Sequence, residues 1–180
     1  MTIETPAAVV TFWREAGPDR WFKKDAAFDD EIKRRFLITH EAAAAGKLTA
    51  WERNAEGALA LLLLLDQFPR NMFRGEARTF ATDPLARAVA SRAILNGFDG
   101  AYPDLRNFFY LPFEHSENLA DQERAVALNK AAGDDDGLKW AKVHADIIRR
   151  FGRFPHRNAV LGRVTTPEEQ KFLDDGGFAG

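Results

Sequence analysis

Apolar residues recur along most of the chain at intervals of three and four positions, the spacing that places them on one face of a helix. No segment sustains the alternation of apolar and polar residues that predicts a half-buried strand. Together with its Gly, Pro and capping residues, the pattern predicts about eight helices on short connectors. These helices cover roughly residues 6–16, 29–45, 49–67, 83–95, 105–113, 116–132, 138–151 and the segment from 167 onward.

Three sequence signals set the predicted ends of two of these helices. The segments TAWE, beginning at Thr49, and TPEE, beginning at Thr166, have the spacing of a capping box, in which the first side chain and the fourth satisfy backbone N–H groups. Pro69 predicts the end of the helix that starts at Thr49, because proline has no N–H group and clashes with the preceding turn.

The predicted fold is therefore all-α. Consecutive helices joined by short links usually lie antiparallel, so we expect stacked helical hairpins. At 180 residues the chain is predicted to form a single domain over residues 1–180, with a loose tail at 174–180.

The composition limits the chemistry and the partners that the protein can have. The chain has 15 Phe and 4 Trp, which suffice for a large aromatic core, and it has no Cys, which excludes disulfides, thiolate metal sites and a Cys nucleophile. The net charge of −2 argues against nucleic acid as a partner. The longest apolar run, Ala58–Leu65, is shorter than the roughly 20 residues that a membrane helix needs, and no signal peptide is evident. We therefore expect a cytoplasmic protein without a membrane partner.

One short motif occurs twice, as DQFPRNMFR near the middle of the chain and as FGRFPHRN near its end. In each copy we expect the proline to end a helix and to hold the preceding Phe extended in the core. Asn71 and Asn158 suit a tight turn with left-handed backbone. Arg70 and Arg157 would then lie on stiff loops, and a fixed guanidinium is suited to a planar oxyanion such as a carboxylate or a phosphate.

The oxyanion has two interpretations. It could be internal: Asp66 is predicted at a helix C-terminus, where the helix dipole disfavours a negative charge, so Arg70 or the Arg153/Arg157 pair would be its partner. Segment 99–136 is rich in acidic residues and segment 147–167 is rich in arginine, which also favours internal pairing.

Alternatively, the oxyanion belongs to a ligand. If the two loops converge, they form one polar pocket for an anionic small molecule or an acidic peptide, since ionisable groups gathered in a cleft often mark a functional site. The candidate ligand-binding residues are Asp66, Arg70, Asn71, Glu114, His115, Arg153, His156, Arg157 and Asn158.

Two other functions stay open. A small hydrolase could use the same cluster with His115 or His156 as its base; a protein-interaction scaffold would instead keep the arginines in an internal network and expose an apolar groove. His144 shares a helical face with Trp140 and is expected to be a core residue. No phosphate-binding loop, nucleophile elbow or His-Glu-x-x-His segment is present, so neither a cofactor nor a metal is expected.

Several longer segments resemble a known family. LLLLDQFPRNMFRG, FFYLPFEHSE, HADIIRRFGRFPHRN and LGRVTTPEEQKFL are similar to segments of an uncharacterised bacterial family, domain of unknown function 924. The resemblance covers nearly the whole chain. It implies a tetratricopeptide-like superhelical array of helices, and it implies no particular activity.

Overall fold

The computed structural model describes residues 2–178 and consists of helices joined by turns and loops, with no strand among these residues. The predicted all-α fold of about eight helices is confirmed, whereas the tetratricopeptide-like stacking stays a prediction. The α-helices are α1 (Pro6–Ala16), α2 (Pro18–Trp21), α3 (Ala26–Ala44), α4 (Ala55–Leu62), α5 (Phe68–Met72), α6 (Asp83–Leu95), α7 (Asn107–Glu114), α8 (Leu119–Ala132), α9 (Asp135–Phe151) and α10 (Pro167–Asp174).

The described helices include none with the length and apolar character needed to cross a bilayer.

The chain divides into two compact units. The N-terminal unit comprises the described residues up to Arg74 together with Arg78–Pro112, and the C-terminal unit comprises Gly75–Ala77 and the described residues from Phe113 onward. A single domain over 1–180 stays a prediction. The tail at 174–180 is described as far as residue 178, and residues 179–180 lie outside the described residues.

The capping box at Thr166 is confirmed. Its hydroxyl accepts a hydrogen bond from the Glu169 N–H at 3.2 Å, and the Glu169 carboxylate accepts one from the Thr166 N–H at 2.8 Å. Helix α10 therefore begins where the sequence predicts.

The second predicted capping box is wrong. Residues Thr49–Arg53 form a 3₁₀ turn, and the cap of α4 is Asn54, whose side chain accepts from the Gly57 N–H at 2.9 Å. The turn packs so closely on α4 that a Cβ on Gly57 would lie 2.1 Å from the Trp51 carbonyl oxygen. A competing local cap at Asn54 thus replaces the one predicted at Thr49.

Pro69 does not end its helix either. The helix passes through a π turn at Leu63–Gln67, in which the Phe68 N–H bonds to the Leu63 carbonyl, and continues as α5. Helical turns of this wider kind are rare and often lie at functional sites.

Two side chains replace the hydrogen bonds that the proline cannot make. The carbonyls of Leu64 and Leu65 stand five and four residues before Pro69, the positions of the acceptors in a π and an α turn. His40 Nδ1 lies 2.8 Å from the Leu64 oxygen, and the Thr82 hydroxyl donates to the Leu65 oxygen at 2.6 Å. Both carbonyls are therefore satisfied in the buried interior.

Each unit has an aromatic centre. In the N-terminal unit, Trp13 packs against Phe28 and Phe68 with ring centroids 6.1 and 5.5 Å away. In the C-terminal unit, Phe154 packs with Ile147 and Ile148 of α9. The expected anchoring of the Phe in both repeated motifs is confirmed, since Phe68 and Phe154 are 0% exposed.

Candidate functional site

The sequence-predicted site residues belong to both units. Three of them, Asp66, Arg70 and Asn71, lie in the N-terminal unit, within the π turn and α5. The other six lie in the C-terminal unit, around the end of α7 and the segment after α9: Glu114, His115, Arg153, His156, Arg157 and Asn158.

Arg70 is bound to internal carboxylates. Its two terminal nitrogens lie 3.0 and 3.1 Å from the two oxygens of Asp83, and Nη1 lies 3.5 Å from Asp66 Oδ1. Burial alone would lower the pKa of Arg70, but Asp66 and Asp83 outweigh it and raise that pKa above its ordinary value. Asp66 was expected to pair with Arg70 or with the Arg153/Arg157 pair, and Arg70 contacts it, although Asp66 lies inside a continuing helix and not at its end.

The left-handed backbone expected at Asn71 and Asn158 is wrong, because every described residue with positive φ is a glycine. Asn71 lies within α5, and its side chain donates to Asp29 Oδ1 at 2.7 Å. Arg74 binds both oxygens of the same carboxylate, at 2.9 and 3.1 Å. An amide and a guanidinium thus share one carboxylate.

The second copy of the motif has the same arrangement. Asn158 donates to Glu169 Oε2 at 3.1 Å, and Arg153 binds both oxygens of Glu169 at 2.6 and 2.9 Å. The hydrogen bonds from Arg153, with those from Thr166, hold the pKa of Glu169 at about 2. The repeated motif therefore has a structural role in both units: it holds a carboxylate from another helix, Asp29 of α3 in one unit and Glu169 of α10 in the other.

The backbone of the two motifs differs. Phe154 is extended, as expected before a proline, with φ −89° and ψ 109°. Phe68 is helical, with φ −58° and ψ −36°, because the π turn lets the helix continue through Pro69.

Three histidines gather in the C-terminal unit, and we call His115, His144 and His156 the histidine cluster. The ring centroids of His115 and His144 are 6.5 Å apart. His144 and His156 lie 5.7 and 5.6 Å from the ring of Phe154, on which both pack.

His144 is oriented by polar neighbours. It is 7% exposed, as expected of a core residue. Its Nδ1 lies 2.9 Å from the Trp140 carbonyl oxygen, which can only accept, so Nδ1 carries the hydrogen. Glu114 Oε2 lies 3.4 Å from the same nitrogen, and Glu114 Oε1 accepts from Asn129 Nδ2 at 3.0 Å. A neutral His144 therefore keeps the lone pair of its other ring nitrogen, Nε2.

His156 is neutral at neutral pH. Burial, followed by the positive charge of Arg157 and the neighbouring His144, lowers the pKa of His156 to about 4. Its Nδ1 atom is buried and has no hydrogen-bond partner. Such an atom is uncommon in folded proteins and calls for an explanation.

Glu117 and two arginines border the cluster. Glu117 accepts from both terminal nitrogens of Arg163 at 2.8 Å and from the Phe154 N–H at 2.9 Å. Burial raises the pKa of Glu117, yet these bonds and the nearby charges lower it overall. Arg157 stacks on the ring of Phe154, with its guanidinium carbon 4.4 Å from the centroid. The expected pairing of the acidic segment with the arginine-rich one is thus present in Glu117 and Arg163.

Among residues 2–178, no group of three or more His, Asp or Glu side chains is arranged to hold a metal ion.

The N-terminal unit has an apolar groove of about 310 Å³ between the end of α3 and α6. An ion pair at its edge joins Arg92 Nε to Glu52 Oε2 at 2.5 Å. The groove contains none of the sequence-predicted site residues; its lining is Ala43, Ala44, Ala45, Gly46, Leu48, Thr49, Glu52, Leu61, Leu65, Leu85, Ala88, Val89 and Arg92.

Comparison with known proteins assigns the chain to a family of unknown function and names no activity. The bacterial family of unknown function DUF924 matches residues 9–177, and the chain belongs to it. A solved structure of a protein of unknown function from Agrobacterium tumefaciens is 55% identical, with a TM-score of 0.92; the match covers 95% of this chain and 97% of that one. None of the curated proteins compared with the chain matches it.

Proposed function

We propose that the protein binds a small molecule carrying a carboxylate or phosphate group, and that the anion lies at the histidine cluster beside His156 and Arg157. An acidic peptide side chain would present the same chemistry. Asp66, Arg70 and Asn71 are left out of this site, because their polar groups belong to the internal network of the N-terminal unit.

The observation that carries the proposal is the buried Nδ1 of His156, which lacks a hydrogen-bond partner. A buried polar atom left unpaired costs about 1–3 kcal/mol of stability. An anion oxygen at this position would accept a hydrogen bond from the ring and remove that cost.

The surrounding charge favours an anion over a cation. Arg157 contributes the largest charge effect on His156 and lowers its pKa. Glu117 acts in the opposite direction but is already bound by Arg163. A negative ligand is therefore stabilised at His156 by its neighbours.

A second function is favoured by the Glu114–His144 contact. A histidine whose Nδ1 is oriented by a carboxylate and a carbonyl can use the lone pair of its Nε2 as a general base. A hydrolase of this kind would show saturable turnover of a small activated ester, and His144→Gln would abolish it while the protein stays folded. If anions bind but no such turnover is found, anion binding is supported and hydrolysis is not.

The test is a titration of the isotopically labelled chain with sodium phosphate and sodium acetate, following the histidine ring signals by NMR. We expect the His156 signals to shift saturably and its pKa to rise in the complex, because the bound anion favours the imidazolium. Sodium chloride at the same ionic strength is the control for salt.

His40 is the control within the molecule. It lies in the N-terminal unit, is buried at 3% exposure and is bonded to the Leu64 carbonyl. A shift of His156 with His40 unchanged supports the proposal. Equal shifts of both residues, or no saturable shift of His156, would rule it out.

A further inference from the structure

We infer that the ligand of the histidine cluster carries an aromatic ring as well as its anionic group, and that Phe178 occupies the ring's position in the free chain. This inference rests on the proposed function. It adds the chemical class of the ligand and an internal competitor for the same site.

Phe178 lies against the cluster through its ring. Its centroid is 4.6 Å from that of His144 and 5.3 Å from that of His156, with interplanar angles of 77° and 75°. Trp140, which is 43% exposed, adds a third ring at 6.5 Å. Edge-to-face contacts at these distances are the preferred geometry of aromatic pairs, so the surface beneath Phe178 is suited to an aromatic ring.

Two glycines direct the tail to this place, each for a different reason. Gly176 has φ of +80°, a conformation that L side chains rarely adopt. At Gly177 a Cβ would lie 2.5 Å from both the Phe172 carbonyl oxygen and a ring atom of the same residue. The chain therefore turns back across Phe172, which brings Phe178 to the histidines.

Of the described tail residues, Phe178 contacts the histidine cluster through its ring, which also packs against Ile147, Ile148 and Phe154. The backbone hydrogen bonds of Gly176 and Gly177 go to Leu173 and Phe172, at 3.2 and 2.9 Å, within the C-terminal turn of α10. They do not involve the histidines. The ring can therefore leave without breaking α10, and rotation of the few bonds between Gly176 and Phe178 suffices.

A ligand that replaces Phe178 would contact the aromatic surface and lie next to the unpaired nitrogen of His156 at the same time. A ring in the Phe178 position lies beside His156, whose buried Nδ1 lacks a partner and whose neighbour Arg157 is positively charged. An anionic group on a short arm of that ring can therefore reach Nδ1. Phenylacetate has this combination of ring, arm and carboxylate, so it is a suitable probe.

The experiment compares three probes on three proteins by the same NMR titration. Phenylacetate carries ring and charge, acetate carries the charge alone, and benzyl alcohol carries the ring alone. The proteins are the unchanged chain, Phe178→Ala, and the control Phe22→Ala, which removes a ring that is 65% exposed in the N-terminal unit.

We expect Phe178→Ala to bind phenylacetate about tenfold more tightly than the unchanged chain, which corresponds to a tail that leaves the site open about a tenth of the time. Phe22→Ala should bind it as the unchanged chain does. The dissociation constant of acetate should differ by no more than about twofold among the two variants and the unchanged chain, since acetate does not occupy the position of the ring.

The outcomes separate the two proposals. If acetate shifts His156 while phenylacetate gains nothing in Phe178→Ala, the anion site stands and the aromatic ligand is ruled out. A second outcome is that benzyl alcohol binds Phe178→Ala as tightly as phenylacetate does, while acetate has no effect. That result would support an aromatic site at the position of Phe178 and rule out the anion site. Should Phe178→Ala not fold, Phe178→Leu replaces it; phenylacetate binding no tighter than in the unchanged chain then overturns the inference.

Discussion

Glu114 Oε2 lies 3.4 Å from His144 Nδ1, with both side chains almost completely buried. The other oxygen of Glu114 accepts a hydrogen bond from Asn129, so the carboxylate joins an imidazole of α9 to an amide of α8. A buried carboxylate is costly unless its oxygens are bonded. This pair therefore fixes the geometry of the histidine cluster before any ligand arrives.

Replacing Glu114 with Ala should lower the free energy of unfolding by about 2–4 kcal/mol, because the Asn129 amide would keep only the Ala125 carbonyl as its acceptor and a buried cavity would form. Glu114→Gln keeps the shape and should cost less. Urea denaturation at pH 7 measures both. Unchanged stability in Glu114→Ala would mean that the carboxylate contributes nothing to the packing of the C-terminal unit.

The stability of the protein should fall as the pH drops from about 6.5 to 4. His156 has an ordinary pKa of 6.5 when unfolded and about 4 when folded, so the unfolded state takes up its proton first. The contribution of His156 is fully present above pH 6.5 and is lost progressively as the pH falls towards 4. Its upper bound is about 3 kcal/mol, reduced by the partial exposure of the ring.

The variant His156→Gln isolates this contribution. The pKa of His40 is also lowered by burial, so the unchanged chain should lose stability through both residues. Urea denaturation should show that the free energy of unfolding falls less between pH 7 and pH 4.5 in His156→Gln than in the unchanged chain. Identical losses in the two proteins would contradict the low pKa of His156.

Arg70→Ala should destabilise the protein by about 3–5 kcal/mol, because it removes the guanidinium that faces the buried carboxylates of Asp66 and Asp83. The matched control is Arg149→Ala. Arg149 pairs with Asp146 on the surface, where both side chains are about half exposed or more, and its loss should cost less than about 1 kcal/mol. Thermal and urea unfolding of the two variants, side by side, test the difference.

Thr82→Val should cost about 1–3 kcal/mol, although it hardly changes the volume of the side chain. The substitution removes the hydroxyl that bonds the Leu65 carbonyl, and Pro69 cannot supply another donor. Thr49→Val, at an exposed position of the 3₁₀ turn, should change stability by no more than about 0.5 kcal/mol. A similar small effect at both positions would mean that the π turn does not need this hydrogen bond.

Local sequence signals predicted those features that depend on neighbours in the chain. The capping box at Thr166 was correct because its partners are three residues apart and the helix there has an exposed start. The same signal at Thr49 was wrong because Asn54, a little further along the chain, caps α4 in its place.

The candidate site could be predicted only in part. Histidine and carboxylate residues are recognised by type, and Arg70, four positions after Asp66, is one of the two partners expected for it and contacts it. Asp29 and Glu169, the carboxylates that the two repeated motifs hold, were missed because they are distant in sequence from most of their partners. The contact of Phe178 with the histidines was also missed, because a single Phe between small residues does not indicate in the sequence what its ring will touch.

A π turn also determines the directions in which the later side chains of the same helix point. It contains one residue more than an α turn, and one residue corresponds to a rotation of about 100° around the helix axis. Deleting a single residue from Leu63–Gln67 would regularise the helix, yet Arg70 and Asn71 would both turn away from Asp83 and Asp29. The extra residue thus acts as an angular spacer, and a relative that lacks it would need different partners for both carboxylates.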